Sequence, residues 1–334
     1  MPSATSYNVT GDRELLFDYL TILEPEDCPK TSSFAKTSNI FNTYPQWQAD
    51  TLANVDFAGV LEGQDVGAFN NEAANRARFG SYIQKFWRPW MVSDIQEASD
   101  PAGVPSEVAN SKIKAMRELK RNIEAAIGSD NDMQADTGVV PWKTRGLGNW
   151  VRATAQTTNA VPTNFLTPSG NINTTATASL TETLFNDVFQ SIFQQNGGRR
   201  RYRLYAGPAL KRAISKFQRA EGTTTQTPYT VTQPATEKKI TLNVTIYDGD
   251  FHTVDIIPDL FNGLLDGAAV TTATNQQKAR GYVIDPELVA MGTMLGVQSM
   301  ELENQGGGRR GIVQTACVLV VKNPKGLGKF AATS

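Results

Sequence analysis

The segment 44–67, YPQWQADTLANVDFAGVLEGQDVG, constrains the fold more than any other part of the chain. It combines acidic residues with a set of apolar ones, namely Trp47, Leu52, Val55, Phe57, Val60, Leu61 and Val66. Apolar and polar residues alternate only briefly, so no run in the segment is long enough to close a sheet on itself. Because large apolar side chains are normally buried, these need a surface that the segment does not provide.

The residues that follow, 79–96 (FGSYIQKFWRPWMVSDIQ), are densely aromatic. Pro89 lies among them and, since proline has no N–H to donate, it indicates an edge strand rather than a central one. Two extended legs of roughly 20 residues each would reach on the order of 60 Å at about 3.3 Å per residue. The segment 46–96 is therefore predicted to be a projecting arm.

The clearest predicted helix covers residues 104–128. Its apolar residues recur at steps of three to five and predict one buried stripe, formed by Val108, Ile113, Met116, Leu119, Ile123 and Ile127. Its polar face carries Lys112, Lys114, Arg117, Lys120 and Arg121, and Gly128 is a stop signal.

The remaining patterns mix helices and strands, which predicts an α+β fold. Helices are predicted at 14–23, at 179–198 with a Ser179–Glu182 capping box and a Gly197 stop, and at 208–220. Strands are predicted at 201–207, 229–233, 238–248, 251–257 and 280–285, with a closing hairpin of 297–304 and 311–323 around QGGGRR; residues 129–178 are predicted to be irregular.

Composition excludes several functional classes. Lys and Arg total 32 against 33 Asp and Glu, so the chain lacks the basic excess of a protein that grips DNA tightly. The single histidine, His252, rules out a multi-histidine metal site and is interpreted as a structural strand residue. Two cysteines, Cys28 and Cys317, are too few for a disulfide framework. Neither a secretion signal nor a membrane-length apolar run occurs, which predicts a protein made and kept in the cytosol or in something assembled there.

Candidate binding motifs are weak. GGGRRG (306–311) and GLGKF (326–330) lack the spacing of a phosphate loop and are interpreted as turns. The basic cluster GGRRRYR (197–203) could contact phosphates, but we favour arginines that complement a helix end or pair with acidic groups of a neighbouring subunit. EPED (24–27), SDNDMQAD (129–136) and DGD (248–250) do not match a calcium loop, and 129–136 is predicted to be solvated. We therefore expect no enzyme activity, cofactor or metal, but a structural or binding protein.

The order of these parts is similar to that of the major capsid proteins of tailed double-stranded DNA phages, the Hong Kong 97-type fold, and most resembles a short-tailed-phage branch. The resemblance is carried by QWQADTLA with Glu62–Gly63, YIQKFWRPWMVSDIQEA, KAMRELKRNIEAAI and TRGLGNWV (144–151). It implies an N-terminal arm (1–45), an E-loop (46–96), a peripheral domain (97–175) with the spine helix 104–128, an axial domain (176–290), and peripheral return strands (291–334).

The resemblance implies subunits that self-assemble into hexamers and pentamers of an icosahedral head. The head would assemble in the host cytoplasm and enclose double-stranded DNA, contacted weakly and without sequence specificity. Portal and scaffolding proteins would be further partners, and the resemblance leaves decoration proteins open. The apolar groups of 44–67 and the aromatic residues of 79–90 would then be buried on a neighbouring subunit. The residues expected at contacts between subunits are Trp47, Phe57, Leu61, Glu62, Lys85, Trp87, Arg88, Trp90, Arg117 and Arg121.

Some family features and rival functions remain open. The predicted helix at residue 14 leaves no room for a cleaved scaffolding segment, which implies a separate scaffolding protein. Lys85 is the only lysine of 46–96 and has no identified partner, so no covalent cross-link is predicted. The main rival function is that of an encapsulin-like shell around protein cargo. Two weaker rivals are a capsid cement or tail-tube protein and a hydrolase that uses His252.

Overall fold

The computed structural model describes residues 22, 24–37, 40–67, 69, 71, 75–99, 103–217, 245–264 and 274–332. The fold is α+β, as predicted. Its helices are α1 (Pro29–Ser33), α2 (Asp94–Ala98), α3 (Glu107–Ile127), α4 (Leu147–Trp150), α5 (Glu182–Asn196), α6 (Pro208–Lys216) and α7 (Asn275–Lys278). Its strands are β1 (Ala35–Thr37), β2 (Gln46–Ala49), β3 (Ala77–Gly80), β4 (Gln84–Val92), β5 (Ile172–Asn173), β6 (Arg200–Ala206), β7 (Ile246–Asp248), β8 (His252–Pro258), β9 (Gly281–Ile284), β10 (Val289–Leu302), β11 (Arg309–Val321) and β12 (Gly328–Phe330).

The long helix α3 confirms the helix predicted at 104–128. It begins after Ser106, whose hydroxyl accepts a hydrogen bond from the Ala109 N–H, and Gly128 follows its last residue. The predicted stripe is wrong at two positions, because Ile113 and Met116 are 50% and 42% exposed. Ile113 lies five residues after Val108, which turns it by about 140° at 3.6 residues per turn, away from the buried side.

Helix α3 packs on a four-stranded sheet with the order β1-β10-β11-β4. Strand β1 is parallel to β10, and the other neighbours are antiparallel. Within the described part of the chain β4 pairs only with β11, which confirms the edge strand predicted from Pro89. The main hydrophobic core lies between this sheet and α3 and includes Trp90, Leu119, Ile123, Trp150 and Val313.

The second sheet has six strands in the order β5-β12-β9-β6-β8-β7. A separate core, with Phe185, Phe189 and Leu204 among its residues, joins α5 to this sheet. The predicted start of α5 is wrong: Thr181, not Ser179, caps the helix by accepting from the Leu184 N–H. The Gly197 stop is confirmed, with φ of 67° in the left-handed region.

The aromatic residues of 79–90 are not all available to a neighbouring subunit. Phe79, Phe86 and Trp90 are 3%, 8% and 6% exposed and lie in the chain's own core, so the prediction that a neighbour buries them is wrong. Alternation along β4 explains this burial, because every second side chain of the strand points toward α3. Trp87, on the opposite side, is 59% exposed.

Two loop predictions are also wrong. GLGKF is not a turn but leads into strand β12, which pairs with β9 and β5. The segment 129–136 is not simply solvated: Met133 is buried, Asp130 pairs with Arg280 and Lys329, and Asp132 accepts from Arg145. The cations that pair with Asp130, Arg280 and Lys329, are distant in sequence, so the local composition does not reveal them.

The strands predicted at 201–207, 251–257, 280–285 and 311–323 are confirmed, and so is the turn at GGGRRG. The helix predicted at 14–23 (apart from Ile22), the strand at 229–233, most of 238–248 and the end of 208–220 lie outside the described residues. The domain boundaries expected from the resemblance remain predictions.

Candidate assembly surfaces

The arm tip, defined here as residues 50–67, leaves its apolar side chains in solvent. It contains neither helix nor strand, and Leu52, Phe57 and Leu61 are 97%, 91% and 78% exposed. A turn forms where the Gln64 N–H donates to the Leu61 carbonyl at 3.1 Å, with Gly63 at φ of 79°. The ionisable side chains of the tip are all acidic: Asp50, Asp56, Glu62 and Asp65. The tip is thus both apolar and negatively charged.

The root of the arm is firmly attached to the main core. Strands β2 and β3 pair antiparallel there, with Trp47 opposite Phe79. The Trp47 indole N–H donates to the Val321 carbonyl at 2.8 Å, and its ring lies 5.8 Å from that of Trp150. At the start of the tip, Arg76 pairs with Asp50 at 3.0 Å. The arm therefore leaves the molecule in a defined direction although its tip has no cover.

The outer end of the four-stranded sheet exposes the face opposite α3. On β4 the side chains of this face are Lys85, Trp87, Pro89 and Met91, and the strand register places residues of β11 and β10 beside them. We call this surface the open sheet face and define it by Lys85, Trp87, Pro89, Met91, Met300, Leu302, Arg310 and Ile312. A depression of about 310 Å³ lies on it, lined by Pro89, Trp90, Met91, Leu302, Arg310 and Gly311.

The charge on the open sheet face is positive. The Arg310 Nε–H donates to the Glu303 carbonyl at 2.8 Å, but its Nη2 is buried and has no hydrogen-bond partner in the described structure. Lys85 is exposed and makes no ion pair with any described residue. The face thus has the opposite charge to the arm tip.

The other face of the outer sheet is held against α3 by charged groups. Lys112 and Arg309 both bond to Glu301, and these hydrogen bonds lower the pKa of the Glu301 carboxyl. The Lys112 ammonium also lies 5.0 Å from the centre of the Trp90 ring. Arg88 contacts Asn122 at 3.2 Å. Among the described residues, these contacts cover the side of the outer sheet that faces α3, whereas the open sheet face keeps Trp87 and Met91 exposed.

The N-terminal strap, defined here as residues 24–37, crosses the C-terminal half of α3. Glu26 pairs with Arg117 at 3.1 Å and Glu24 with Arg121 at 3.4 Å. Arg117 and Arg121, both expected at contacts between subunits, are thus already paired within their own chain. No sequence pattern indicated these pairs, because about 90 to 100 residues separate their members.

Lys30 anchors the strap in a fully buried polar cluster. Its Nζ bonds to Asp259 and donates to Asn262 at 3.0 Å, while its backbone N–H donates to Glu124 at 2.8 Å. The Thr31 N–H donates to the second Glu124 oxygen at 2.7 Å. Burial alone would lower the pKa of Lys30, but the Asp259 and Glu124 carboxylates outweigh it and raise the pKa. The cluster therefore holds a charged lysine between α3 and the loop after β8.

The basic cluster 197–203 pairs with acids of its own chain. Arg199 bonds to Asp248, Arg200 to Asp285 at 2.9 Å, and Arg201 to both oxygens of Asp255 at 2.8 Å. Arg203 donates to the Ser33 carbonyl at 2.8 Å. The expected pairing with acidic groups of a neighbouring subunit is wrong, because Asp248, Asp285 and Asp255 belong to the same chain. This pairing does not favour the phosphate-contact alternative.

His252 lies in strand β8, as its sequence context predicted. Its ring stacks on Phe189 at 3.9 Å between centroids, and neither ring nitrogen has a hydrogen-bond partner in the described structure. Burial lowers the pKa of His252 to about 4, so the ring is neutral near pH 7. The described residues contain no group of His, Cys, Asp and Glu that could hold a metal ion. None of the helices described is both long and apolar enough to cross a membrane.

The expected contact residues fall into five places. Phe57, Leu61 and Glu62 lie in the arm tip, and Trp47 lies at its root. Lys85 and Trp87 lie on the open sheet face, whereas Arg88, Arg117 and Arg121 lie at α3. Trp90 lies in the chain's own core and offers little surface to a neighbour.

Sequence reasoning missed Met91, Met300, Leu302 and Arg310 on the open sheet face. The alternation of Trp87, Pro89 and Met91 was a usable signal for one face of a strand. Pairing of β10 with β11 brings the other residues beside them, and no local pattern predicts that.

Comparisons with known proteins give the family and the fold. The family model described as SU10 major capsid protein matches residues 3–334. No curated protein matches the chain.

Solved structures share the fold over almost the whole chain. The capsid of the cyanophage P-SCSP1u has a TM-score of 0.56 at 12% identity, covering 98% of this chain and 92% of that one. A structure of Mycobacterium phage Bobi gives 0.58 at 11% identity, covering 97% and 96%. The capsid of a native GTA particle gives 0.59 at 10% identity, covering 98% and 97%. The expected Hong Kong 97-type capsid fold is confirmed.

Proposed function

The chain belongs to the SU10 major capsid protein family, and on that premise we propose that its arm tip binds the open sheet face of a second copy. It is a structural protein of an icosahedral bacteriophage capsid. The encapsulin-like alternative is not favoured, because the family model that matches the chain describes a phage capsid protein. The contact between copies is the part of this function that the geometry of the chain supports.

The observation that supports this contact is that two apolar surfaces of one chain are both exposed to solvent. The arm tip and the open sheet face each expose large apolar side chains, so they do not cover each other within the subunit. Burying a Val, Leu or Phe side chain contributes about 1.5–3 kcal/mol. Ordering the backbone costs roughly 1–2 kcal/mol per residue, which a tip without contacts cannot offset. A second copy supplies the missing contacts to both surfaces.

Charge gives the contact its direction. The tip carries only carboxylates, whereas the open face carries Lys85 and the buried, unpartnered Nη2 of Arg310. An acidic group of the tip that reaches this nitrogen would satisfy a donor that is otherwise costly to bury. We assign Glu62, which lies in the turn of the tip, to this positive surface. Phe57 and Leu61 would then cover Trp87 and Met91.

Larger assembly follows from a contact of this kind. A tip that binds the next copy, whose own tip binds the next, makes a head-to-tail interface, and such an interface gives rings when the rotation between copies closes. Hexamers and pentamers are the rings that an icosahedral shell needs. Portal, scaffolding and decoration proteins remain proposed partners, as does assembly in the host cytoplasm.

Packaged double-stranded DNA would be contacted weakly. The chain is near neutral, and the arginines of its densest basic cluster are engaged with its own acids and carbonyls. Binding of DNA to the isolated subunit should therefore be weak, and a tight affinity that falls steeply with salt would contradict this.

The contact is tested by substituting each surface separately. Phe57→Ser with Leu61→Ser alters the tip, Trp87→Ser alters the face, and Val139→Ser is a matched control because Val139 is 92% exposed outside both surfaces. Electron microscopy should show shells for the control but none for the tip or face variants, while circular dichroism shows all of them folded. Shells formed equally well by the tip and face variants would overturn the proposal.

A charge exchange tests the pairing within the contact. Glu62→Lys and Lys85→Glu should each reduce the yield of shells, because each places like charges together. The double variant should recover part of that yield if the two groups face each other. No recovery would leave the apolar contact in place but reject this charged pair.

A further inference from the structure

The two legs of the arm are joined at its root by a ladder of backbone hydrogen bonds. Strands β2 and β3 pair there, and the ladder continues toward the core. The Ser81 N–H donates to the Pro45 carbonyl at 3.3 Å, and the Ile83 N–H donates to the Thr43 carbonyl at 3.0 Å. The root is thus a two-stranded ribbon, whereas the tip beyond it contains neither helix nor strand. A ribbon of two strands is only marginally stable by itself, so the direction of the arm depends on what holds the ribbon against the core.

Each leg of the ribbon has its own anchor on the core. On the second leg, the buried Ser81 hydroxyl accepts a hydrogen bond from the Arg145 N–H at 3.0 Å. On the first leg, the anchor is Trp47, whose indole N–H donates to the Val321 carbonyl at 2.8 Å. Its ring lies 5.8 Å from that of the fully buried Trp150. Trp47 therefore attaches the first leg by both a hydrogen bond and a ring contact.

The carbonyl to which Trp47 donates belongs to a strand that carries part of the open sheet face. Val321 is the last residue of β11, and Arg310 and Ile312 of the face lie near the other end of the same strand. Ile312 precedes Val321 by nine residues, which corresponds to about 30 Å of strand. Trp47 thus fixes the arm relative to β11, and so relative to the surface that we assign to the tip of another copy. In a head-to-tail interface, the angle between these two surfaces of one subunit sets the rotation between copies.

A small change of angle at the root is magnified at the tip. The turn at Leu61 comes eleven residues after Asp50, where the root ends, and an extended chain of that length reaches about 35 Å. Tilting such a chain by about 10° moves its end by about 6 Å, which exceeds the range of a van der Waals contact. The contacts of the tip therefore require a root of fixed direction.

We propose that Trp47 is the positioning residue of the arm and sets the rotation between neighbouring copies from within its own chain. This role rests on the contact proposed above between the arm tip and the open sheet face. Trp47 was expected at contacts between subunits; it acts on such a contact through the direction of the arm and not by touching the neighbour. The indole N–H is the group on which the role depends, because it bonds to β11.

Gly80 allows the two legs of the ribbon to come close. A Cβ atom at Gly80 would lie 2.4 Å from the Pro45 carbonyl oxygen, so Gly80→Ala must shift one leg against the other. Gly198 has open space around it, which makes Gly198→Ala the matched control. This pair of variants tests the direction of the arm without altering Trp47.

Distances between two spin labels in the unassembled full chain measure the direction of the arm. The labels are attached through Leu52→Cys, 97% exposed just beyond the root, and Lys36→Cys, exposed on β1. The native thiols should react slowly, because burial raises the pKa of Cys28 to about 11 and of Cys317 to about 12. Trp47→Phe, which keeps a ring but removes the N–H donor, should broaden the distribution of distances at least about twofold.

Gly80→Ala should broaden or shift the distribution as well, whereas Trp142→Phe and Gly198→Ala should leave it unchanged. Trp142 is a partly buried tryptophan outside the arm, so it controls for the loss of an indole. Circular dichroism should show every variant folded. A distribution that Trp47→Phe leaves unchanged, or that Gly80→Ala leaves unchanged should Trp47→Phe not fold, would overturn the proposal. Since this measurement requires no assembly, the contact between copies would then still stand.

The geometry of the shells gives a second readout. In electron micrographs, shells of Trp47→Phe should spread in diameter at least about twofold more widely than those of Trp142→Phe, because the copies meet at variable rotation. A loss of stability alone would lower the yield of shells without changing their diameters. Shells of unchanged diameter, at whatever yield, would therefore reject the proposal. Failure of the contact itself would instead appear as shells formed by the tip and face variants described above.

Discussion

At the scale of single residues, Lys30 shows how the chain stabilises a buried charge. Lys30 and Glu124 are fully buried and Asp259 is nearly so, yet each oxygen of the two carboxylates accepts a hydrogen bond. Buried charges persist only when they are paired and hydrogen-bonded in this way. The cluster joins the strap, α3 and the loop after β8, so it fixes three segments that are distant in sequence.

Replacing Lys30 should therefore destabilise the subunit strongly. Lys30→Met leaves two buried carboxylates without a counter-charge, and removal of one partner from such a site costs about 3–5 kcal/mol. Chemical denaturation measures the loss. Lys36→Met, at an exposed position of β1, is the control and should change stability by less than about 0.5 kcal/mol. Equal stability of the two variants would show that the cluster does not stabilise the fold.

His252 predicts how stability depends on acid. Its pKa falls from an ordinary 6.5 to about 4 in the folded chain, so the unfolded chain binds more protons between these values. The contribution of the neutral His252 ring to the free energy of unfolding is complete above about pH 6.5 and is lost as pH falls toward 4. The loss from this residue is on the order of 3 kcal/mol. Urea unfolding at several pH values should show this slope, and His252→Phe should flatten it; an unchanged slope would assign the acid sensitivity to other groups.

At the scale of elements, the ends of helices and the edges of strands follow local rules. Gly197 ends α5 at positive φ, a backbone region that costs other residues about 1–2 kcal/mol. Gly198 is next to it, at ordinary φ and with open space around it.

These two glycines make a matched pair of substitutions. Gly197→Ala should lower the free energy of unfolding by about 1 kcal/mol because it strains the left-handed cap. Gly198→Ala should change it little. Thermal or chemical unfolding of the two variants measures the difference, and a larger effect of Gly198→Ala would mean that α5 does not end as described.

At the scale of the whole molecule, the subunit has well-packed cores but an arm whose apolar side chains are not buried. Two cores close around the two sheets, while the arm tip keeps its apolar side chains in solvent. Such a contrast is expected of a subunit whose exposed apolar side chains become buried only when copies of the chain bind each other. It predicts that the arm responds to assembly and the cores do not.

Hydrogen exchange before and after assembly should show that difference. Amides of 50–67 should exchange freely in the unassembled chain, where they make few backbone hydrogen bonds, and slowly in the shell. Amides of α3 should be protected in both states and provide the internal control. Strong protection of 50–67 in the unassembled chain would contradict a tip that is covered only by a neighbour.

Much of the local structure was determined by the sequence alone. The apolar period and the glycine stop predicted α3, Pro89 predicted an edge strand, and the apolar segment 44–67 predicted an arm without cover. These signals depend on neighbours within one or two turns, or on a residue that cannot donate a backbone hydrogen bond. The sparse His and Cys content likewise predicted a structural role.

Tertiary structure alone decided which aromatic residues are buried and which charges are paired. Trp87 and Trp90 lie three residues apart, yet one is exposed and the other is in the core, because only one face of β4 meets α3. Lys30 bonds to Glu124 and Asp259, which are 94 and 229 residues away in sequence. Such contacts are set by how the sheets and α3 pack, and that packing depends on the whole chain rather than on any local pattern.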